Sequence, residues 1–168
     1  MRIAMMVAVV LALLSACFNP FAPKVDQTDQ NALLITQQKT PSEVLQNFVY
    51  SYTFKDSLVY ANLLDSSFVF VYFDPNVDGS GRFVSWSRDV DLKTTGRLFR
   101  SFETITLTWN STIYEIQGEH SAELSKTLQL NLYGKGGDFS LSGNAVFNFK
   151  KCYDGQWRLT RWKDESQM

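Results

Sequence analysis

The chain has 168 residues, 45% of them apolar, and a formal net charge of −1. This is one domain's length, with ample apolar material for a core. Balanced charge without a basic patch excludes a nucleic-acid partner, and two cysteines are too few for a disulfide framework or a zinc-ligand set.

Arg2 precedes an unbroken apolar run, Ile3 to Leu14. Small Ser15 and Ala16 follow, then Cys17. A positive start, a short apolar run and small residues mark a secretory signal. The run falls short of the roughly 20 residues a spanning helix needs. The order Leu14-Ser15-Ala16-Cys17 resembles the lipobox of bacterial lipoproteins. The resemblance implies cleavage before Cys17, a diacylglyceryl group on its thiol and an acyl group on the new amine. More than one chain is what stable anchoring requires. It also implies a bacterial envelope protein held to the membrane by lipid. Phe18 carries no acidic retention signal, which favours the outer membrane, facing the periplasm. Cys152 then has no partner. The expected division is a signal at 1–16, a lipidated cysteine and tether at 17–39, and a domain at 40–168. The tether holds Pro20, Pro23 and a polar string from Asp26 to Asn31, with a reach of roughly 25 Å. Leu33-Leu34-Ile35 is an apolar triplet suited to docking on the domain.

Thr40-Pro41-Ser42-Glu43 reads as a helix start: a capping hydroxyl, proline at the first position and a glutamate that reaches back. Val44, Leu45, Phe48, Val49 and Tyr52 follow at helical spacing, predicting a helix over 41–54. Asp56 caps a second short helix, which Asp65-Ser66-Ser67 ends. Phe68 to Phe73 is apolar on both parities and reads as a central strand. A loop follows from Asp74 to Gly81. Ser87 caps a third helix, with Asp89 and Asp91 in its first turn where the dipole favours acids. That helix ends near Phe102. The period then changes to two, at Thr104–Trp109, Ala122–Leu132 and Phe139–Phe149. Asp154-Gly155 is a hairpin signal before the last strand from Trp157. Such alternation predicts an antiparallel sheet with one covered face. The class is α+β.

The order helix, helix, strand, helix, then curved sheet resembles the nuclear transport factor two-like family, also called polyketide-cyclase-like, with a cystatin-like α+β arrangement. Thr40-Pro41-Ser42-Glu43 resembles its first helix. Leu63-Leu64-Asp65-Ser66-Ser67-Phe68 resembles its step into the first strand. Gly155-Gln156-Trp157-Arg158-Leu159 through Asp164 resembles its closing strand. The resemblance covers about residues 40–164. It implies helices packed in a curved antiparallel sheet that forms a cone-shaped pocket. It also implies either an enzyme, such as an isomerase or dehydratase, or a binding or dimerising domain.

The chemistry sought is an acid or base inside the cone. The one histidine, His120, lies in a turn, so a histidine-pair mechanism is excluded by count. The inward parity carries Ile105, Leu107, Trp109, Leu124, Leu128, Leu130, Phe147, Phe149, Trp157 and Leu159, with no carboxylate. No catalytic residue and no cofactor is assigned. Arg161 shares the parity of Trp157 and Leu159 and would orient an acidic ligand among Trp109, Trp157 and Phe147; a bulge turning it outward is the alternative. An enzyme would draw its carboxylate from Asp56, Asp65 or Glu103. Asp74, Asn76 and Asp78 match the first half of a calcium loop. Gly81 and Ser85 break the match, and the same residues suit an ordinary turn. The outer face, rich in Ser, Thr, Gln and Asn, leaves homodimerisation open. The leading reading is a membrane-anchored lipoprotein whose domain binds a small apolar or acidic ligand or a protein partner. An isomerase- or dehydratase-type enzyme and a purely structural envelope protein are the alternatives.

Overall fold

The computed structural model describes residues 34–166. The signal, Cys17 and most of the tether lie outside the described residues. Thr40 opens α1 (Pro41–Thr53), its hydroxyl accepting from the Glu43 amide at 3.2 Å. Glu43 reaches back one residue further than expected, accepting from the Lys39 amide at 2.8 Å. Asp56 caps α2 (Ser57–Leu63) by accepting from the Leu58 and Val59 amides. This helix stops early. Leu64 already begins β1 (Leu64–Asp74), so Asp65-Ser66-Ser67, expected as the helix end, is strand.

The loop after β1 is a hairpin turn into β2 (Arg82–Ser87). The sequence reading assigned no element between the loop and the Ser87 cap, so this strand was not expected. Then come α3 (Arg88–Ser101), β3 (Thr104–Gln117), β4 (Ser121–Tyr133), β5 (Phe139–Lys151) and β6 (Trp157–Asp164). The six strands form one curved sheet in the order β2-β1-β6-β5-β4-β3. β1 runs parallel to β6 and every other pairing is antiparallel. The sheet is therefore mixed, not wholly antiparallel, because β6 takes its direction from the hairpin with β5 and then lies beside β1. The class is α+β.

α1 packs on β3 and β6, and α3 on β1 and β2. Between helices and sheet lies one core, centred on Val44, Phe48, Leu63, Phe147 and Leu159, each fully buried. These residues have their own core and their own hydrogen-bonded sheet, as a unit that folds by itself does. Among the described residues, no helix is long and apolar enough to cross a membrane.

The expected tether boundary at Lys39 moves earlier. The Thr36 amide donates to Asn47 Oδ1 at 2.7 Å, and Asn47 Nδ2 donates to the Thr36 carbonyl at 3.1 Å. The Gln38 carbonyl accepts from the Trp157 amide at 2.7 Å, while Gln38 Nε2 donates to the Trp157 carbonyl at 3.0 Å. Gln38 and Asn47 are buried, so these bonds satisfy groups that have no water. Leu34 and Ile35, by contrast, are exposed rather than docked. A chain starting at residue 40 should be less stable than one starting at residue 34 by about 3 kcal/mol, since it strands buried partners. Urea unfolding of the two chains measures this; equal stabilities would show that residues 34–39 contribute nothing.

Candidate functional site

Strand register builds the inner face. Phe70 pairs across β1 with Trp86 on β2 and with Trp162 on β6. Trp162 pairs in turn with Phe147 on β5, and Phe147 with Leu124 on β4. Residues directly opposite on neighbouring strands lie in contact, so one row of rings crosses the sheet. Centroids are 4.8 Å apart for Phe70–Trp86, 5.0 Å for Phe70–Trp162 and 5.7 Å for Phe147–Trp162. Phe48 of α1 presses onto this row at Trp162, 5.3 Å away, and onto Trp109 at 5.5 Å. Rings from α1, β1, β3, β5 and β6 thereby close on one another around Phe48 and Trp162. Phe70, Tyr72 and Trp86 stay half-buried and stack on one another.

Three indoles stand on this interior, and their N–H groups differ. Trp109 Nε1 donates to the Leu45 carbonyl at 3.0 Å. Trp86 Nε1 donates to Asp91 Oδ1 at 3.1 Å. Trp162 Nε1 is buried and has no hydrogen-bond partner among the described residues. An unmade bond there costs about 1–3 kcal/mol, and buried donors without partners are rare enough to call for an explanation.

Beside this wall a carboxyl group is buried. Asp91 is 3% exposed. It accepts from the Tyr60 hydroxyl at 2.7 Å as well as from Trp86. The buried Tyr52 ring of α1 packs on Tyr60, with centroids 5.8 Å apart. Among the described residues no cation pairs with Asp91. Burial raises its pKa, and the two donors oppose that only in part. Burial likewise drives the Tyr60 and Tyr52 hydroxyls well above the ordinary phenol range. Buried groups with raised pKa values in an apolar wall are the raw material of acid–base chemistry or of a polar contact to a ligand.

The residues named from sequence fall elsewhere. Arg161 is exposed and turns away from the cone. The β5–β6 register slips at Thr160, so that Phe149 faces Leu159 but Asn148 faces Arg161. This bulge flips the parity, sending Arg161 outward and Trp162 inward. Phe147 and Trp157 are buried in the core; Trp109 is half-buried in the ring cluster. Asp56 is spent on capping α2. Asp65 accepts from Ser67 and pairs with Lys150 at 3.0 Å. Glu103 is exposed at the start of β3. Asp74 Oδ1 accepts from the Asn76 amide, and Asp78 pairs with Arg82 at 3.2 Å, as in an ordinary turn. Among the described residues no group of three or more His, Cys, Asp or Glu side chains converges on a metal position. Two carboxyl groups are buried, Asp65 at the start of β1 and Asp91 on α3, and Asp91 was expected only as a dipole partner in a first turn. The missed signal was its spacing: Asp91, Thr95 and Phe99 share one helix face, and all three are buried.

The curved mixed sheet wrapped on three helices is the nuclear transport factor 2-like fold. The chain superposes on a nuclear transport factor 2-like superfamily protein from Salmonella enterica serovar Typhimurium with a TM-score of 0.60 at 12% identity, over 75% of this chain and 87% of that one. A protein from Novosphingobium aromaticivorans bearing the name scytalone dehydratase gives 0.64 at 18% identity, over 84% and 89%. A conserved protein from Planctomyces limnophilus gives 0.63 at 16%, over 82% and 95%. At such identities the likeness establishes fold and no more. No protein-family model and no curated protein matches the chain.

Asp91 and Asp65 should pull stability in opposite directions with pH. Folded Asp91 keeps its proton to higher pH than the unfolded chain does. Unfolding then releases a proton, and stability falls as pH rises above the ordinary aspartate range. Burial opposes the charge of Asp65, but the Ser67 hydroxyl and amide and the Lys150 ammonium outweigh it and hold its pKa well below that range. Its stabilisation is present above the ordinary range and is lost as pH falls toward the depressed value. In urea unfolding across pH, Asp91→Asn should remove the decline at higher pH, and Asp65→Asn should remove part of the loss at low pH. Unchanged slopes would mean that neither carboxyl titrates as its surroundings dictate.

Proposed function

We propose that this chain is a lipid-anchored protein of a bacterial envelope whose domain holds a small, mainly apolar ligand against the aromatic wall of the cone. One observation carries the ligand reading: a buried indole N–H, Trp162 Nε1, without a partner, set among the rings of Phe48, Phe70 and Phe147. The half-buried stack of Phe70, Tyr72 and Trp86 supplies flat apolar surface beside it. A ligand suited to both has a planar apolar body and one acceptor oxygen. The lipid anchor is supported by sequence, in Leu14-Ser15-Ala16-Cys17 behind a short apolar run.

A second reading, an isomerase- or dehydratase-type enzyme, draws on Asp91. A buried carboxyl whose pKa is raised is a candidate general acid, with Tyr60 and Trp86 donating to its two oxygens. Asp91→Asn would then abolish turnover while leaving ligand occupancy intact.

Native mass spectrometry of protein purified gently from its own cells tests the binding reading. A stoichiometric small-molecule adduct, lost on organic extraction, is expected. Trp162→Phe keeps the packing and removes the N–H, and should weaken retention about five- to tenfold, the worth of one hydrogen bond. Bare protein of both forms, with no adduct from a cell extract, would overturn it. Cys17→Ser should move the protein from the membrane to the soluble fraction and remove the mass of the acyl groups. Unchanged fractionation and mass would overturn the anchor.

A further inference from the structure

At one end of the sheet, away from the aromatic wall, two turns and the start of β1 enclose a cleft of about 770 Å³. The end of β5 supplies Lys150 and Lys151, and the turn after it supplies Cys152, Tyr153 and Gly155. The turn after β3 supplies His120, held by a bond from the Lys151 amide to the His120 carbonyl at 2.9 Å. Asp65 closes the inner side. Lys39, in the segment that leads into α1, brings its Nζ within 4.0 Å of the place a side chain on Gly155 would occupy.

The charges here do not cancel. Asp65 is matched by Lys150 at 3.0 Å, and Asp154 by Arg158 at 2.6 Å. Glu119 stands 3.7 Å from His120 on the far rim, both largely exposed. Among the described residues, Lys39 and Lys151 form no ion pair. Among the described residues Tyr153, which projects from the same turn, is the most exposed aromatic ring, at 113% relative exposure. Lysines beside a fully exposed aromatic ring match the charged and interfacial layers of a lipid surface.

We propose that this end of the domain docks on an anionic lipid surface, with Lys39 and Lys151 each meeting headgroup phosphates and the Tyr153 ring at the interface. The choice of a lipid surface rests on the anchor reading, which keeps the domain within roughly 25 Å of one. Acylation itself is not required for the docking, which separates the two. Each lysine near an anionic surface is worth about fivefold in partitioning. The free domain therefore binds weakly, and a tether turns that into steady contact by raising the local concentration.

The test uses residues 32–168, which carry the whole core and no acyl group. Co-sedimentation with vesicles of about one-third phosphatidylglycerol in phosphatidylcholine is compared with phosphatidylcholine alone at low ionic strength. Binding to the anionic vesicles only is expected. Lys39→Glu and Lys151→Glu should each reduce it about fivefold or more, and Tyr153→Ala by a smaller factor. Lys135→Glu, in the turn at the opposite end of β5, should leave it unchanged. These lysines and Tyr153 are outside the core, so the variants fold. No binding, equal binding to both vesicles, or an equal loss with Lys135→Glu would overturn the proposal. So would signals of the cleft residues that shift in NMR with inorganic phosphate but not with vesicles, since the cleft would then serve a soluble phosphate. A result of either sign leaves the Cys17→Ser fractionation to decide the anchor separately.

Discussion

The ring of Phe48 ties the domain together. It is fully buried and lies about 5 Å from the rings of Tyr52, Tyr60, Trp109 and Trp162, which belong to α1, α2, β3 and β6. Most of these contacts are edge-to-face, the arrangement that aromatic quadrupoles favour. One side chain thus fixes where the first helix lies in the sheet, how the second helix crosses it, and which way the last strand presents its indole. The unpartnered Trp162 N–H follows from that fixation, because the ring cannot rotate to find a carbonyl without losing its neighbours.

The polar chain from Tyr60 to Asp91 and Trp86 borders the same cluster. Its members tie α2, α3 and β2 to one another. A carboxyl group buried without a cation is costly unless protonated or well bonded. Its presence between two aromatic donors gives the interior one polar edge in an otherwise apolar wall. The fold thus holds a flat apolar surface, one unpartnered indole donor and one buried carboxyl with a raised pKa within a single unit. That set suits binding directly and suits acid–base chemistry if a substrate reaches Asp91.

Much of the scaffold was legible in the residues. Thr40-Pro41 with Glu43 marked the first helix, and Asp56 marked the second. The change to a two-residue period after Phe102 marked the strands, although β3 runs on to Gln117, well past the alternating stretch. What escaped was set by tertiary pairing. The edge strand β2 has few buried residues and sits between a glycine turn and a helix cap, so its alternation was too short to stand out. The parity of β6 was read through Leu159 to Arg161, but the bulge at Thr160 is decided by how β6 meets β5 and β1 together. That single residue exchanged the expected cationic ligand contact, Arg161, for an indole. Asp91 was read locally, as an acid in a first turn. Only the packing of α3 shows that its face is the buried one.

Tryptophan indole N–H resonances of protein purified gently from its own cells, recorded before and after organic extraction, probe the aromatic wall directly. The Trp162 resonance should shift when the bound molecule leaves, because its acceptor leaves with it. The Trp109 resonance, whose partner is the Leu45 carbonyl, should stay in place. A Trp162 resonance that is the same before and after extraction would contradict a ligand on that wall.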